Sequence, residues 1–236
     1  TSSAASDVYK RQLIESSAIS DLVGKIMTAD DGADLVIRDT LFSRAVMGPE
    51  IDGTALILER SHIVEMYGDD DNDGIYLHDQ REGQVIRLED CVVASGDDDG
   101  IDTLGADVTI AGCIGRDFAD KGISCFHDSA RIERCLIVEN DIGISAKTSD
   151  DRDMHLTIDH STIVGGRIAI EARDKNGEPD ARIHYEVVNA ILREGSMDDA
   201  RVVRTDYAPS FISISYSNLS DDWEGPGESN FIDDPR

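Results

Sequence analysis

Clusters of aspartate in successive turns are the residues of this chain best suited to chemistry. Four such turns end in a glycine, and they read Gly68-Asp69-Asp70-Asp71-Asn72-Asp73-Gly74, Gly96-Asp97-Asp98-Asp99-Gly100, Asp117-Phe118-Ala119-Asp120-Lys121-Gly122 and Glu139-Asn140-Asp141-Ile142-Gly143. Aligned on that glycine, the position two residues earlier holds Asn72, Asp98, Asp120 and Asp141. Stacked carboxylates repel one another unless a proton or a cation neutralises them. Calcium suits such a set, because it accepts about six to eight oxygen ligands in flexible geometry.

The first of these turns also matches part of a calcium-loop pattern. The run from Asp69 to Gly74 reads D-D-D-N-D-G, which agrees with D-x-(D/N)-x-(D/N)-G. The last position of a full loop is a glutamate, whereas this chain has Gln80 there, and no helical pattern flanks the turn. The alternative is that these are ordinary solvated turn residues. The candidate calcium ligands are therefore Asp69, Asp71, Asp73, Asp98, Asp120 and Asp141.

The acidic turns recur because the chain is built from a repeat. The pattern I-x-x-(C/S/T/N)-x-(I/V/L/F) recurs along the chain, with units at Ile37-Thr40-Phe42, Leu58-Ser61-Ile63, Leu88-Cys91-Val93, Ile110-Cys113, Ile132-Cys135-Ile137, Ile158-Ser161-Ile163, Tyr185-Asn189-Ile191 and Ile214-Ser217-Leu219. A Gly-Ile pair or a close copy follows at Ile75, Ile101, Ile123, Ile144 and Ile170. Apolar residues at alternate positions indicate strands rather than helices.

Stacking of these repeats predicts an all-β solenoid. A coil of roughly 20 to 26 residues cannot bury its apolar face alone, so equivalent strands must pair in parallel at about 4.8 Å. The sequence therefore predicts a parallel β-helix, with Cys91, Cys113 and Cys135 in one inward column. Parallel side chains disfavour bridging, so these thiols are expected to be free. We expect an irregular first coil over Leu13 to Asp34, and the regular cysteine spacing argues against a jelly roll.

Charge and chain ends limit the partners that can be expected. The chain has 49 acidic residues against 22 Lys plus Arg, a net charge of −27. This acidity disfavours nucleic acid and anionic membranes as partners, and no run approaches the roughly 18 apolar residues that span a bilayer. Ser2 to Gln12 match a translated sequencing adapter, so residues 1–12 are expected to be non-native. Residues 13–236 are then expected to be a β-helix fragment cut at both ends, with further domains in the parent chain.

The repeat resembles the right-handed parallel β-helix proteins of bacteria, which include polysaccharide lyases, polygalacturonase-like hydrolases and surface proteins. The run from Asp98 to Asp102 is similar to the N-T-D-G-I-D element of the polygalacturonases, with Asp99 at the aspartate. The later G-D-D-C and G-H-G elements of that family are replaced here by Asp120-Lys121-Gly122 and Asp141-Ile142-Gly143. The resemblance implies a right-handed solenoid that is secreted or on the cell surface, with a polysaccharide or surface glycan as partner.

Two functions of different classes follow from this resemblance. The first hypothesis is a scaffold region with calcium-binding acidic turns that binds carbohydrate or mediates adhesion. The alternative is a calcium-dependent lyase acting on a uronate-containing polymer. The resemblance to lyases implies Lys121 or Lys147 as the base and Asp99, Asp102 and His127 as substrate-binding residues. Surrounding carboxylates would raise the pKa of Lys121, so an ion pair with Asp99 in the neighbouring coil is the other role expected for it.

Overall fold

Parallel strands wound into coils make up the described part of the chain. The computed structural model describes residues 11–30, 32, 34–68, 72–148, 152–175, 182–195, 200–206, 210–220 and 223–232, and no helix occurs in these ranges. The predicted ligands Asp69 and Asp71 lie outside the described residues, as does most of the adapter-like segment. Arg11 and Gln12 belong to the first strand and pair with Asp34 and Leu35.

The strands have 2 to 13 residues each and follow one another along the described chain. The first half contains β1 (Arg11–Glu15), β2 (Ala18–Ala29), β3 (Asp34–Arg38), β4 (Leu41–Asp52), β5 (Ala55–Glu59), β6 (His62–Met66), β7 (Ile75–His78), β8 (Ile86–Glu89), β9 (Val92–Gly96), β10 (Ile101–Leu104) and β11 (Val108–Ala111). The second half contains β12 (Ile114–Phe118), β13 (Lys121–Phe126), β14 (Asp128–Glu133), β15 (Leu136–Thr148), β16 (Met154–Asp159), β17 (Thr162–Asp174), β18 (Ile183–Val188), β19 (Ile191–Glu194), β20 (Arg201–Asp206), β21 (Ser210–Ser215) and β22 (Asn218–Leu219).

These strands form the three faces of a solenoid, and every pairing between described strands is parallel. The first face is the stack β1-β3-β5-β8-β11-β14-β16-β18-β21. The second face joins the N-terminal halves of β2, β4, β15 and β17 to β6, β9, β12, β19 and β22. The third face joins the C-terminal halves of those long strands to β7, β10, β13 and β20. The prediction of an all-β parallel β-helix is therefore confirmed.

Ladders of apolar side chains at equivalent inward positions form the core between the faces. On the first face, one column is fully buried in every coil from β3 onward, and it consists of Ile37, Leu58, Leu88, Ile110, Ile132, Ile158, Val187 and Ile214. The isoleucines of the Gly-Ile marks lie on the third face and pair with one another in sequence order, Ile75, Ile101, Ile123, Ile144 and Ile170. Burying one such aliphatic side chain contributes about 1.5–3 kcal/mol, so the ladders dominate stability.

A column of small side chains lines the bend between the first and second faces. This small-residue column consists of Thr40, Ser61, Cys91, Cys113, Cys135, Ser161, Ala190 and Ser217, and all of them are buried. The residue just before each one has a positive φ, from 45° at Arg60 to 66° at Gly112, which turns the chain sharply. The three cysteines are free, as predicted.

Two expectations about individual coils were wrong. Tyr185-Asn189-Ile191 is not a repeat unit, because Val187 pairs with Ile158 and Leu192 with Ile163. The true unit has Ala190 at the small position and the same length as its neighbours, and a pattern that excluded alanine missed it. The described part of Leu13 to Asp34 is more regular than expected, because β1 and β2 pair with β3 and β4, although the register shifts between Leu22 and Lys25.

Candidate functional site

A groove on the third face gathers acidic, basic and aromatic side chains. Its volume is about 510 Å³, and its charged and aromatic walls include Glu50, Asp73, Tyr76, Asp102, Phe126 and Lys147. Lys175 also lines the groove, just past the end of β17. Because the groove crosses several coils, residues far apart in sequence meet there. The shape and chemistry of the groove make it the candidate site.

The parallel register places these side chains in two outward columns. Tyr76, Asp102 and Ser124 pair across successive strands. Two residues further along, Leu104, Phe126 and Lys147 pair in the same way. Outward positions on a strand alternate with inward ones, so the buried side chain before each outward residue fixes its direction. That residue is an isoleucine in the first column, and it is Thr103, Cys125 or Ala146 in the second. The core ladders therefore position the groove.

Three aspartates form the acidic end of the groove. One oxygen from each of Asp73, Asp99 and Asp102 lies within 4.8 Å of the other two. Asp73 and Asp99 are 5% and 4% exposed. Their coils are joined by a hydrogen bond of 2.8 Å from the Gly74 amide to the Asp99 carbonyl oxygen. We call these three residues the aspartate triad.

Burial and the charges of nearby aspartates raise the pKa values of two members of the triad, Asp73 and Asp99. Burial raises the pKa of Asp73 to about 8, and the nearby charges of Asp102, Asp99 and Asp98 add to the effect. Burial also raises the pKa of Asp99 to about 6, although the Lys121 ammonium acts in the opposite direction. A bound cation would remove this repulsion, and three carboxylates supply the hard oxygen donors that calcium takes.

Lys121 lies beside the triad and forms an ion pair with Asp99. Its ammonium nitrogen lies 3.1 Å from Asp99 Oδ1, its backbone amide donates to the same oxygen at 3.1 Å, and it also pairs with Asp120. Burial alone would lower the pKa of Lys121, but the Asp99 charge and the bond to Asp120 outweigh it and raise the pKa. The expected ion pair with Asp99 is therefore present. A permanently charged Lys121 is unsuited to act as a base. We refer to Asp73, Asp99 and Lys121, which occupy equivalent positions in three successive coils, as the charged column.

Three further lysines line the groove: Lys25, which pairs with Glu50, and Lys147 and Lys175. Lys147 is 7% exposed, and its ammonium lies 3.8 Å from Asp102 Oδ1, a buried atom that makes no hydrogen bond to the described residues. The ammonium of Lys175 lies 4.9 Å from the ring centre of Phe126. Partial burial lowers the pKa of Lys175, and the Lys147 charge lowers it further. The triad thus faces cationic groups across the groove.

The predicted column Asp98, Asp120, Asp141 stacks as expected, but its charges are partly met by the chain itself. The Asp120 amide donates to the Asp98 carbonyl oxygen at 3.3 Å, and the Ile142 amide to that of Asp120 at 2.9 Å. Asp141 pairs with Arg167 at 2.7 Å, while Asp120 pairs with Lys121. Carboxylate oxygens of Asp98, Asp99 and Asp120 also lie within 4.8 Å of one another. Calcium binding by these residues stays a prediction.

Some of the remaining candidates lie in the groove or beside it, and His127 does not line it. Asp102 and Lys147 line the groove, and Asp99 lies in the triad at its end. His127 is 7% exposed, and its ring centre lies 3.8 Å from that of Phe126. Sequence reasoning missed Tyr76 and Lys175, because their meeting depends on coil register rather than on a local motif.

Comparison with known families agrees with this architecture. A family model described as "Right handed beta helix region" matches residues 50–191, which is more than half of the chain. The chain therefore belongs to this right-handed β-helix family. No curated protein matches the chain. Among the described residues, no helix has the length and apolar character needed to cross a membrane.

Proposed function

We propose that the third-face groove binds an acidic polysaccharide through a divalent cation, with calcium the best-suited ion, held by the aspartate triad. The observation that carries the proposal is the gathering of Asp73, Asp99 and Asp102 within 4.8 Å at one end of a groove. Two of these carboxylates are almost fully buried, so an unneutralised triad is destabilising. The donor set is all oxygen, which fits calcium rather than a softer metal.

The other groove residues suit an anionic sugar polymer. A cation held at one edge by protein carboxylates would keep open coordination positions that a uronate carboxylate could fill. Lys147 and Lys175 can donate charge-assisted hydrogen bonds to further carboxylates of the polymer. Phe126 and Tyr76 offer apolar ring surface on which a sugar ring can lie. The resulting function is a carbohydrate-binding β-helix of a secreted or surface protein.

Lyase activity is the second candidate, and Lys175 is the residue that favours it. The cation would neutralise the uronate carboxylate and so acidify the proton α to it. A base then removes that proton, and the β C–O bond breaks with its electron pair on the leaving oxygen. That oxygen takes up a proton to become the hydroxyl of the released fragment, and the other fragment carries a C=C bond. The base must be neutral to accept the proton. The pKa of Lys175 is lowered by burial and by Lys147, whereas that of Lys121 is raised, so the groove offers Lys175 as the better base.

Polysaccharide binding with and without calcium tests the proposed function. We would measure binding of the chain to polygalacturonate, alginate and a neutral glucan in excess calcium and in excess chelator. The expected result is binding to an acidic polymer in calcium, with at least a tenfold loss in chelator and in Asp102→Asn. Glu186→Gln, an exposed carboxylate on the first face, is the matched control and should bind as the parent does.

The same samples separate binding from cleavage. Absorbance of the C=C product should rise with time if the groove is a lyase, and Lys175→Ala should abolish that rise while the polymer still binds. Binding without product would support the carbohydrate-binding function and contradict lyase activity. Equal affinity in calcium and chelator, or failure to bind every acidic polymer, would contradict the proposed function.

A further inference from the structure

A second group of possible metal ligands lies on the first face, away from the groove. Asp153 stands just before β16, His155 points outward from β16, and His184 points outward from β18 in the next coil. The register pairs His155 directly with His184. We propose that these three residues form a site for a transition-metal ion of the Zn²⁺ class. This site is independent of the function proposed for the groove.

The distances between the ligand atoms support the proposal. One ligand atom from each residue lies within 4.8 Å of the other two. The imidazole rings of His155 and His184 are stacked, with centres 4.6 Å apart and planes 7° from parallel. Zinc binds histidine nitrogen at about 2.0–2.1 Å. A shift of roughly an ångström in each ring nitrogen, with the ring planes turned toward the ion, would bring both nitrogens onto one ion. His155 is exposed and His184 is half-buried, so the movement falls mainly on the His155 ring.

Neighbouring groups hold two of the ligands in place. The Arg182 backbone amide donates to Asp153 Oδ1 at 2.9 Å, while Oδ2 of the same carboxylate lies 3.8 Å from His184 Nε2. The ring of Phe211 stacks on His184, with centres 5.2 Å apart. Outer contacts of this kind orient metal ligands and are a regular feature of metal sites. One oxygen is thus anchored by the backbone and the other is directed at the histidine.

The donor set selects the class of ion. Two imidazole nitrogens and one carboxylate oxygen suit Zn²⁺, Ni²⁺ or Co²⁺, whereas calcium takes oxygen ligands only. Three protein ligands at an exposed surface leave at least one coordination position for water or an external ligand. The first-face site and the aspartate triad should therefore be separable by the ion they prefer.

Zinc titration of the chain, without a polyhistidine tag, tests the inference. Calorimetry compares the parent chain with variants of the first-face residues, so the difference in Zn²⁺ binding between them reports on the first face whatever ion the triad holds. The parent chain should bind zinc, and His155→Ala, His184→Ala and Asp153→Asn should each weaken that binding at least tenfold. His62→Ala, which removes an exposed histidine from β6, is the matched control and should leave the affinity unchanged.

Cobalt provides a second readout that does not depend on affinity alone. Co²⁺ bound by two imidazoles should give a visible absorption band in the parent chain that disappears in His184→Ala. Far-ultraviolet circular dichroism of each variant would show that the β-helix is intact. The inference is overturned if the parent chain binds no zinc. It is equally overturned if the His155→Ala/His184→Ala double variant binds zinc as tightly as the parent does.

Discussion

The small-residue column and the charged column arise from the same stacking, yet they have opposite electrostatics. In the first, the Ser61 and Ser161 hydroxyls donate to the carbonyl two residues earlier, at 2.9 and 3.0 Å. The Ser161 oxygen also accepts the Cys135 amide of the neighbouring coil at 3.1 Å. In the second, buried Asp73 and Asp99 face each other and Asp102 with only Lys121 in the column to balance them. A column that satisfies itself needs no ligand, whereas a column in which two buried aspartates share one lysine favours a cation.

Removing the single cation of the charged column should have the largest effect. Lys121→Met leaves Asp99 buried without its ion-pair partner, which costs about 3–5 kcal/mol for a broken buried pair. Urea unfolding in chelator at pH 8 measures the loss. The loss should shrink at pH 5, because Asp99 and Asp73 take up protons there. A cost under about 1 kcal/mol at pH 8 would show that the column is solvated.

The small-residue column should be sensitive to loss of a single hydroxyl. Ser161→Ala leaves the buried Cys135 amide without its acceptor, which costs about 1–3 kcal/mol. The matched control is Ser213→Ala, an outward position on the first face. Urea midpoints of the two variants give the comparison. Equal midpoints would mean that the column contributes shape alone.

Stability of the calcium-free chain should fall as pH rises. Asp73 and Asp99 have pKa values near 8 and 6, both above their ordinary value, so the folded chain binds their protons more tightly than the unfolded chain. Their contribution is complete only below the ordinary pKa of 3.8, falls as pH rises above that value, and is fully lost above about pH 6 for Asp99 and about pH 8 for Asp73. Asp21 has a lowered pKa of about 2, so its contribution to stability increases with pH, but only below its ordinary value of 3.8.

The Asp73→Asn variant shows how much of this dependence of stability on pH comes from Asp73. It should be more stable than the parent in chelator at pH 8, by about 1 kcal/mol, because a buried charge is removed. Thermal unfolding between pH 4 and pH 9 measures both chains. Saturating calcium should flatten the slope of the parent. A parent slope that calcium leaves unchanged would indicate that the triad binds no cation.

Exchange within the small-residue column should have the smallest effect. Cys113→Ser keeps a short polar side chain beside the Ala111 carbonyl oxygen, which the thiol already contacts at 3.5 Å. Serine occupies this position in other coils, at Ser61 and Ser217. We expect a change under about 1 kcal/mol in urea unfolding. A larger loss would mean that the thiol ladder itself stabilises the coils.

Sequence alone was sufficient for the ladders but not for the groove. Apolar residues at fixed repeat positions predicted the buried columns, because each inward position is decided by its own coil. The groove depends on outward residues such as Tyr76 and Asp102, which the repeat pattern leaves unconstrained. The pairing of Asp141 with Arg167 was missed for the same reason, since it joins two coils through variable positions. Alanine at position 190 hid one unit because the pattern required a polar residue.

Calcium titration of the calcium-free chain is the most direct measurement of the central claim. Calorimetry at pH 7.5 should show calcium binding in the parent chain, and the Asp73→Asn/Asp99→Asn variant should bind at least tenfold more weakly. Glu186→Gln should match the parent, because it removes an exposed carboxylate from another face. Binding of equal strength in the parent and the double variant, or no binding in the parent, would contradict the claim that the aspartate triad holds a cation.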